Sequence, residues 1–437
     1  MSNLLNIEWS KIRLKFIAPL RNEHIEATSY HEDYLGLENV QSWTGRILPD
    51  SSVKFSEQDG AVKGTANLYY SGDILFGKLR PYLAKALYAD RDGICTTELI
   101  VLKPRKEIYP RYLLYSILSS NFIEQVDAST IGAKMPRANW EFIGSMKLPV
   151  PNYETQTQIA NYLDRKTAEL DQLIGAKQRL LKLLDEKKRA LIARAVTRGL
   201  NPDVPLKDSG IPWLGKIPTH WEVERTKWLL PEIDERSETG DEDLLSVSHL
   251  TGVTLRSEKD VNMFMAESLV GYKKCKAGDL VINTLWAWMG AMGVSPVNGV
   301  VSPAYNVYRP LSEIDPAYLD LIVRTPDFVS EITRYSKGVW SSRLRLYPEG
   351  LFESWLPVPP LSEQKEIVVE ISKQLNRFKE LKSITEKTIT LLQERRTALI
   401  SAAVTGKLSE EVLNAGIGIQ TDETVPNQLG EHKPCLT

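Results

Sequence analysis

Side chains that donate hydrogen bonds cluster at two places in the first third of the chain. The first cluster, residues 77–82, follows an apparent strand and offers Lys78, Arg80 and Tyr82. The second, residues 129–140, contains a glycine that permits a turn and offers Lys134, Arg137 and Asn139. Arginine, lysine and asparagine are the usual donors to base edges and phosphates of DNA. Both clusters are therefore candidates for nucleic-acid contact, with a solvated loop as the alternative for any single residue.

Two corresponding clusters occur about 206 residues later, at the matching places of a second segment. Their candidates are Asn283, Trp286, Lys337, Ser341, Arg343 and Arg345. The alternate spacing of Trp286 and Trp288 predicts one shared strand face, and core packing is favoured over DNA contact for this pair. Arg343 and Arg345 also share a strand-like face, where two charges are harder to explain as core. The locations repeat while the chemistry differs, as expected of two domains that read different sequences.

Motifs for catalysis are missing from the chain. There is no Asp/Asn-Pro-Pro-aromatic motif for amino methylation, no Gly-x-x-x-x-Gly-Lys-Ser/Thr phosphate loop and no His-Glu-x-x-His. The five histidines are scattered, and Cys95, Cys275 and Cys435 are too far apart in sequence to suggest a disulfide framework or a zinc site. We therefore predict no catalytic residue and no metal site in this chain.

The sequence is duplicated. Residues 148–200 align without a gap on residues 356–408, with 17 of the 53 positions identical. The segments before them repeat more faintly, so the helices keep a shared role while the domains have diverged. The predicted organisation is a first domain at 1–151, a central helix at 152–200, a second domain at 201–360, a distal helix at 361–410 and a disordered tail at 411–437.

The two helical segments carry apolar residues at heptad spacing, which predicts a narrow seam on each. The seam residues are Leu163, Leu170, Ile174, Leu181, Leu184, Leu191, Ile371, Leu375, Phe378, Ile389, Leu392 and Leu399. A narrow seam buries little on one helix alone, so each helix needs a partner. A structural bundle or an intermolecular dimer is the alternative, but the duplication favours antiparallel pairing of the two helices within the chain. A helix of about 45 residues spans roughly 68 Å, about two turns of duplex DNA, and the pair would act as a rod that separates the two domains.

Composition indicates ordinary globular protein. The 437 residues are 42% apolar and 25% charged, and no apolar run approaches the length of a membrane span. We therefore expect a cytoplasmic protein without membrane association. The net charge is −2, and basic and acidic residues number 18 against 17 in residues 1–151 and 16 against 22 in residues 201–360. Neither domain is strongly basic, so phosphate neutralisation by this chain alone is expected to be modest.

The chain resembles the specificity subunits of type I restriction-modification systems over nearly its whole length. The resemblance is carried by the paired Leu-Pro-x-Pro segments at 148–151 and 356–359, by the Ala-Leu-Ile and Ala-Val-Thr helix ends, and by the connector at 208–221. It implies two mixed α/β target recognition domains with pseudo-symmetry, separated by two long helices in an antiparallel coiled coil. Each domain would read one half of a bipartite site in double-stranded DNA.

The same resemblance implies partners and a division of labour. Two methyltransferase subunits and two restriction or motor subunits would assemble on this chain, and they would hold the S-adenosylmethionine, ATP and Mg²⁺ of the system. This chain would itself bind no cofactor and would not be an enzyme. Two alternatives stay open: a coiled-coil DNA-binding scaffold or regulator without restriction partners, and, least favoured, an enzyme such as a nuclease.

Overall fold

A computed structural model describes residues 9–26, 34–48, 64–259, 268–339 and 344–408. The chain divides into two units: unit 1 comprises Met1–Lys177 with Lys387–Thr437, and unit 2 comprises Gln178–Glu386. Both units mix helices and strands, and the predicted fold class is confirmed. The tail predicted at 411–437 lies outside the described residues.

The elements of the first half follow one another as short strands and helices before one long helix. They are β1 (Ser10–Arg13), α1 (Leu14–Ile17), β2 (His24–Glu26), β3 (Tyr34–Leu35), β4 (Thr65–Tyr69), β5 (Ile74–Gly77), β6 (Ala86–Tyr88), β7 (Gly93–Thr96), β8 (Leu99–Leu102), α2 (Pro110–Ile117), α3 (Ser120–Ala128), α4 (Trp140–Ser145), β9 (Lys147–Val150) and α5 (Tyr153–Arg198).

The core of unit 1 lies on a three-stranded sheet of order β6-β5-β8. Strands β5 and β8 are fully buried apolar runs, so they read as continuous hydrophobic segments rather than alternating ones. Phe76 from β5 packs edge-on against Phe122 from α3, with ring centroids 5.7 Å apart. A second sheet has the order β2-β4-β7-β3. Because β5 is central and buried, it fixes where the following loop at residues 78–82 leaves the sheet.

The second half repeats this sequence of elements. They are β10 (Leu206–Asp208), β11 (Lys216–Pro218), β12 (Glu222–Arg225), α6 (Thr226–Leu229), β13 (Glu232–Ile233), β14 (Leu245–Ser248), β15 (Gly252–Leu255), β16 (Lys273–Cys275), β17 (Leu280–Ile282), β18 (Met292–Val294), β19 (Gly299–Val301), β20 (Asn306–Tyr308), α7 (Pro316–Val323), α8 (Pro326–Tyr335), α9 (Pro348–Phe352), β21 (Trp355–Val358) and α10 (Leu361–Val404).

Strand pairing shows that the two units share a topology. The sheet of order β13-β20-β17-β18 in unit 2 has β17 at the place of β5. In unit 1 the first strand β1 pairs antiparallel with β9, and in unit 2 the pair β12 and β21 repeats this arrangement. Both β9 and β21 contain a proline of a Leu-Pro-x-Pro segment, which holds the chain extended until the long helix begins.

The long helices run antiparallel in each unit. In unit 1 the start of α5, at Ile159 and Leu163, shares one apolar cluster with the end of α10, at Ile400 and Ala403. In unit 2 the cluster around Ile371 on α10 includes residues 191–196 from the end of α5. The same pairing is therefore observed independently in both units. No described helix combines the length and apolarity that a membrane crossing requires.

Each residue of the predicted seam is buried or half-buried in the structure. By contrast, Leu173, Leu183 and Leu391, which lie off the seam, are 51%, 59% and 64% exposed. Arg396, a charged residue at a seam position, is also buried, and its guanidinium pairs with Asp171 at 3.1 Å within unit 1. A single buried polar pair of this kind is a device that fixes helix register.

A buried aspartate repeats in both units, but the arginine that neutralises it comes from a different part of the chain in each unit. In unit 1 Arg21 binds Asp73 through two hydrogen bonds, at 2.7 and 3.0 Å. In unit 2 Arg309, after β20, binds Asp279 through two bonds at 2.9 Å. Each carboxylate raises the pKa of its arginine. Both units therefore neutralise the buried aspartate, but each does so with its own arginine.

Candidate nucleic-acid interface

The two clusters predicted in the first domain meet in unit 1. The amide of Ala138 donates to the carbonyl of Lys78 at 3.0 Å, and the amide of Arg80 donates to the carbonyl of Pro136 at 2.8 Å. Within the second cluster, Ile131 and Arg137 exchange two backbone hydrogen bonds at 3.1 Å. Segments more than fifty residues apart in sequence thus form one continuous surface beside the end of β5.

Three predicted residues on this surface present exposed side chains. Arg80 and Lys134 are exposed cations, and the Tyr82 ring is 46% exposed. Arg80 has a left-handed backbone with φ of 50°, which is uncommon for a residue with a side chain. Lys78 is half-buried at the rim of the same loop. The structure therefore brings cations and an aromatic edge together on one face.

Arg137 and Asn139 have structural partners in unit 1. The guanidinium of Arg137 forms two hydrogen bonds to Glu98 Oε1, at 2.9 and 3.1 Å, and this carboxylate raises the pKa of Arg137. The side-chain oxygen of Asn139 accepts from the amide of Phe142 and caps α4. A phosphate would have to compete with Glu98 for Arg137, and Asn139 keeps only its NH₂ group for a ligand.

Unit 2 repeats the joining of the two clusters. The amide of Leu346 donates to the carbonyl of Thr284 at 3.0 Å, at the place where Ala138 and Lys78 meet in unit 1. Lys337 and Arg345 exchange two backbone hydrogen bonds at 2.9 Å, as Ile131 and Arg137 do. The backbone framework of the surface is therefore the same in both units, while the side chains that it carries differ.

Trp286 shows where the sequence prediction of core packing was wrong. Its side chain is 52% exposed and stacks on Trp288, with ring centroids 6.2 Å apart and an angle of 18° between the rings. Strand β17 ends at Ile282, and residues 287–289 form a 3-10 turn, so the alternation of a strand does not apply there. The turn places one indole of the stacked pair outward, at the edge of the surface.

The other predicted residues of the second cluster differ in availability. Asn283 is buried; its NH₂ donates to the Tyr305 hydroxyl at 3.0 Å, and its oxygen accepts from the amide of Leu285 at 3.3 Å. Lys337 is exposed. The half-buried guanidinium of Arg345 lies 5.4 Å from the Tyr347 ring centroid. The two remaining candidates, Ser341 and Arg343, lie outside the described residues.

A cleft of about 670 Å³ opens beside Trp286 and Asn283 in unit 2. Sequence reasoning did not select the polar residues that also line it, which include His249, Arg256 and Lys259. Burial, together with the charge of Arg256, lowers the pKa of Lys259. The only signal for these residues in the sequence was that residues 246–250 occupy the place of residues 34–39 in the repeat. We call this cavity the reading cleft.

These surfaces offer donors, cations and exposed aromatic rings, which are groups suited to binding bases and phosphates. Within the described ranges, no three His, Cys, Asp or Glu side chains are grouped so that they could hold a metal ion.

Comparison with known proteins agrees with the repeated architecture. Residues 6–182 match the family model of the type I restriction modification DNA specificity domain. This match covers the first domain and the first part of α5. Among curated relatives, the MjaVIII specificity subunit of Methanocaldococcus jannaschii is 23% identical, over 76% of this chain and 78% of the relative. The EcoBI specificity subunit of Escherichia coli is 20% identical over 88% of each chain.

Solved structures share the fold of this chain. A chain from a study of complex assembly and conformational transition in a type I R-M system superposes with a TM-score of 0.70 at 19% identity, covering 92% of this chain and 99% of that one. The HsdS subunit of Thermoanaerobacter tengcongensis superposes with a TM-score of 0.51 at 19% identity, covering 92% of this chain and 98% of that one.

Proposed function

We propose that this chain is a specificity subunit of a type I restriction-modification system and that it reads an asymmetric bipartite sequence in double-stranded DNA, with one half-site for each unit. The observation that carries the proposal is the repeated junction of two loops, Ala138 with Lys78 and Leu346 with Thr284. One framework presents cations and a tyrosine in unit 1, and an exposed tryptophan beside the reading cleft in unit 2. Two surfaces with the same backbone framework and different side chains are suited to different base sequences.

The helices support the spacing between the two half-sites. Helix α5 has 46 residues and α10 has 44. At 1.5 Å per residue each spans roughly 65 to 70 Å, about two turns of duplex. The proposed target is therefore two short sequences separated by a spacer whose bases are not read. Reading such a target in genomic DNA would place the protein in the cytoplasm.

We infer that the chain acts without chemistry of its own and serves as the scaffold for two methyltransferase and two restriction subunits. The partners would supply S-adenosylmethionine, ATP and Mg²⁺. Exposed leucines off the seam, such as Leu173, Leu183 and Leu391, are apolar surface of the kind that protein interfaces cover. Neither domain carries a large excess of basic residues, which also favours shared binding, because partners would add phosphate contacts that this chain lacks.

The decisive experiment is methylome sequencing of cells that carry the intact system, followed by exchange of residues 201–360 for the same segment of a relative. One half of the methylated motif should change while the other half and the spacer stay the same. A motif that changes on both sides, or does not change, would contradict the assignment of one half-site to each unit. Co-purification with a methyltransferase distinguishes the specificity subunit from a scaffold without restriction partners.

A further inference from the structure

Unit 2 contains a second cleft in addition to the reading cleft. It has a volume of about 680 Å³ and is lined by residues of α5, α7, α8 and α10, by the turn after β17 and by His249. His249 also lines the reading cleft. The stacked pair connects the two cavities, because Trp286 lines the reading cleft and Trp288 lines the second one. The two clefts are therefore neighbours along one surface.

The charges around the second cleft are mostly positive. It is lined by Lys188 and Arg189 from α5 and by Arg324, which directly follows α7; Asp320 is the acidic residue among the lining side chains. Asp320 is already engaged, since it accepts from the amide of Val294 at 2.9 Å and lies 3.7 Å from Arg324. Within the described ranges, Lys188 and Arg189 have no ion-pair partner, and both are exposed. The cleft thus has cations available for an anionic ligand.

The repeat provides an internal comparison for this place. By the 208-residue offset, Lys188 corresponds to Arg396 in unit 1. There the cation is buried, pairs with Asp171, and donates to the backbone carbonyls of Trp43 and Thr44. Oxygen acceptors of the chain itself satisfy the cation in unit 1, whereas Lys188 in unit 2 meets an open cleft.

We propose that the second cleft binds the phosphodiester backbone of the DNA strand that leaves the reading cleft, with Lys188, Arg189 and Arg324 as phosphate contacts. The inference rests on the proposed function, because it takes DNA as the ligand. Phosphates are anions with oxygen acceptors, which the three cations complement. The Trp286 and Trp288 rings lie between the reading cleft and the second cleft, where the phosphates would bind. Such contacts position the duplex but carry no sequence information.

The test is the double variant Lys188→Gln/Arg189→Gln of the full chain, with its methyltransferase partner where one co-purifies. Affinity for a duplex that carries the methylated motif, and for a scrambled duplex, is measured by fluorescence anisotropy across a salt series. Loss of two phosphate contacts should reduce the slope of log K against log salt by about 1.8, and should weaken both duplexes by the same factor. The matched control, Lys182→Gln/Lys187→Gln, makes the same charge change at exposed positions of the same helix outside the cleft.

Equal salt slopes in the cleft variant and the control would overturn the proposal. A cleft variant that loses the methyltransferase while its DNA slope stays unchanged would overturn it too, and would indicate an acidic protein as the ligand. Failure of the proposed function is distinguishable, because it appears as an equal affinity of the unmodified chain for both duplexes. In that case a reduced slope would still support a phosphate-binding cleft, and no DNA binding at all would overturn both proposals.

Discussion

Gln156 and Gln364 make the same three hydrogen bonds in their respective units. The oxygen of Gln156 accepts from the amide of Tyr109, and its NH₂ donates to the carbonyls of Glu107 and Pro151. Gln364 accepts from Asp315 and donates to the carbonyls of Glu313 and Pro359. Both side chains are fully buried. In each unit one glutamine ties the start of a long helix to the backbone that precedes α2 or α7.

Gln364→Ala is expected to destabilise unit 2. The substitution leaves one amide and two carbonyls unsatisfied in a buried place, so we expect a loss of about 3 kcal/mol in the free energy of unfolding. Urea unfolding followed by circular dichroism measures the change. Gln178→Ala, at an exposed position of α5, is the control and should change stability by less than about 0.5 kcal/mol. Equal effects would show that the three bonds contribute nothing.

Trp286→Ala is expected to weaken DNA binding without unfolding the protein. Truncation of a tryptophan at an interface costs about 2 kcal/mol, which corresponds to roughly thirtyfold lower affinity for the methylated motif. Fluorescence anisotropy measures affinity, and a thermal melt checks the fold. Trp228→Ala removes an equally exposed indole, 61% against 52%, outside the proposed surface and serves as the control. If both variants bind alike, Trp286 is not part of the interface.

Arg396→Ala is expected to destabilise unit 1, because Asp171 and two backbone carbonyls lose their buried cation. Breaking a buried ion pair by removal of one partner costs about 3 to 5 kcal/mol. The neighbouring exposed residue supplies the control, since Arg395→Ala removes the same charge from the same helix turn. Calorimetric melting should separate the two variants, and similar melting temperatures would contradict the role assigned to Arg396.

Asp279→Ala should leave Arg309 without its two-bond partner in unit 2. The aspartate is 2% exposed, and we expect a destabilisation of about 3 kcal/mol, as for other buried ion pairs that lose one member. Asp185→Ala removes a half-exposed carboxylate that pairs with the half-exposed Lys382 at 3.9 Å, and it should cost less than about 1 kcal/mol. Guanidinium unfolding curves of the two variants make the comparison, and a larger loss in the second would refute it.

Stability should fall at alkaline pH, partly through Tyr115. Burial and the hydrogen bond that it donates to Asp164 at 2.6 Å raise the pKa of Tyr115 to about 12, compared with about 10 in an unfolded chain. Between these values the unfolded chain releases a proton that the folded chain retains, so stability is complete below about pH 10 and is lost as pH rises towards 12. The unfolding midpoint of Tyr115→Phe should decline less steeply over this pH range than that of the unmodified chain. Parallel declines in the two proteins would exclude Tyr115 as a source of the alkaline loss of stability.

The sequence alone determined the seam and the duplication, because heptad spacing and repeated motifs are local patterns that hold wherever the helices lie. Leu163 and Ile371 could be placed on the seam from spacing, and both are buried in the structure. It also located the loop clusters at residues 77–82 and 129–140. Their positions follow from turn residues and from the strand before them, which need no knowledge of distant contacts.

Tertiary structure alone decided what individual polar residues do. Arg137 pairs with Glu98, and Asn283 donates a hydrogen bond to the Tyr305 hydroxyl. Both contacts depend on segments that the sheet brings together. The exposure of Trp286 depends on where β17 ends. The partner of the repeated aspartate, Arg21 in unit 1 and Arg309 in unit 2, depends on which neighbouring segment carries the charge. Such pairings are set by distance and desolvation in the folded chain, and neither can be computed from spacing along the sequence.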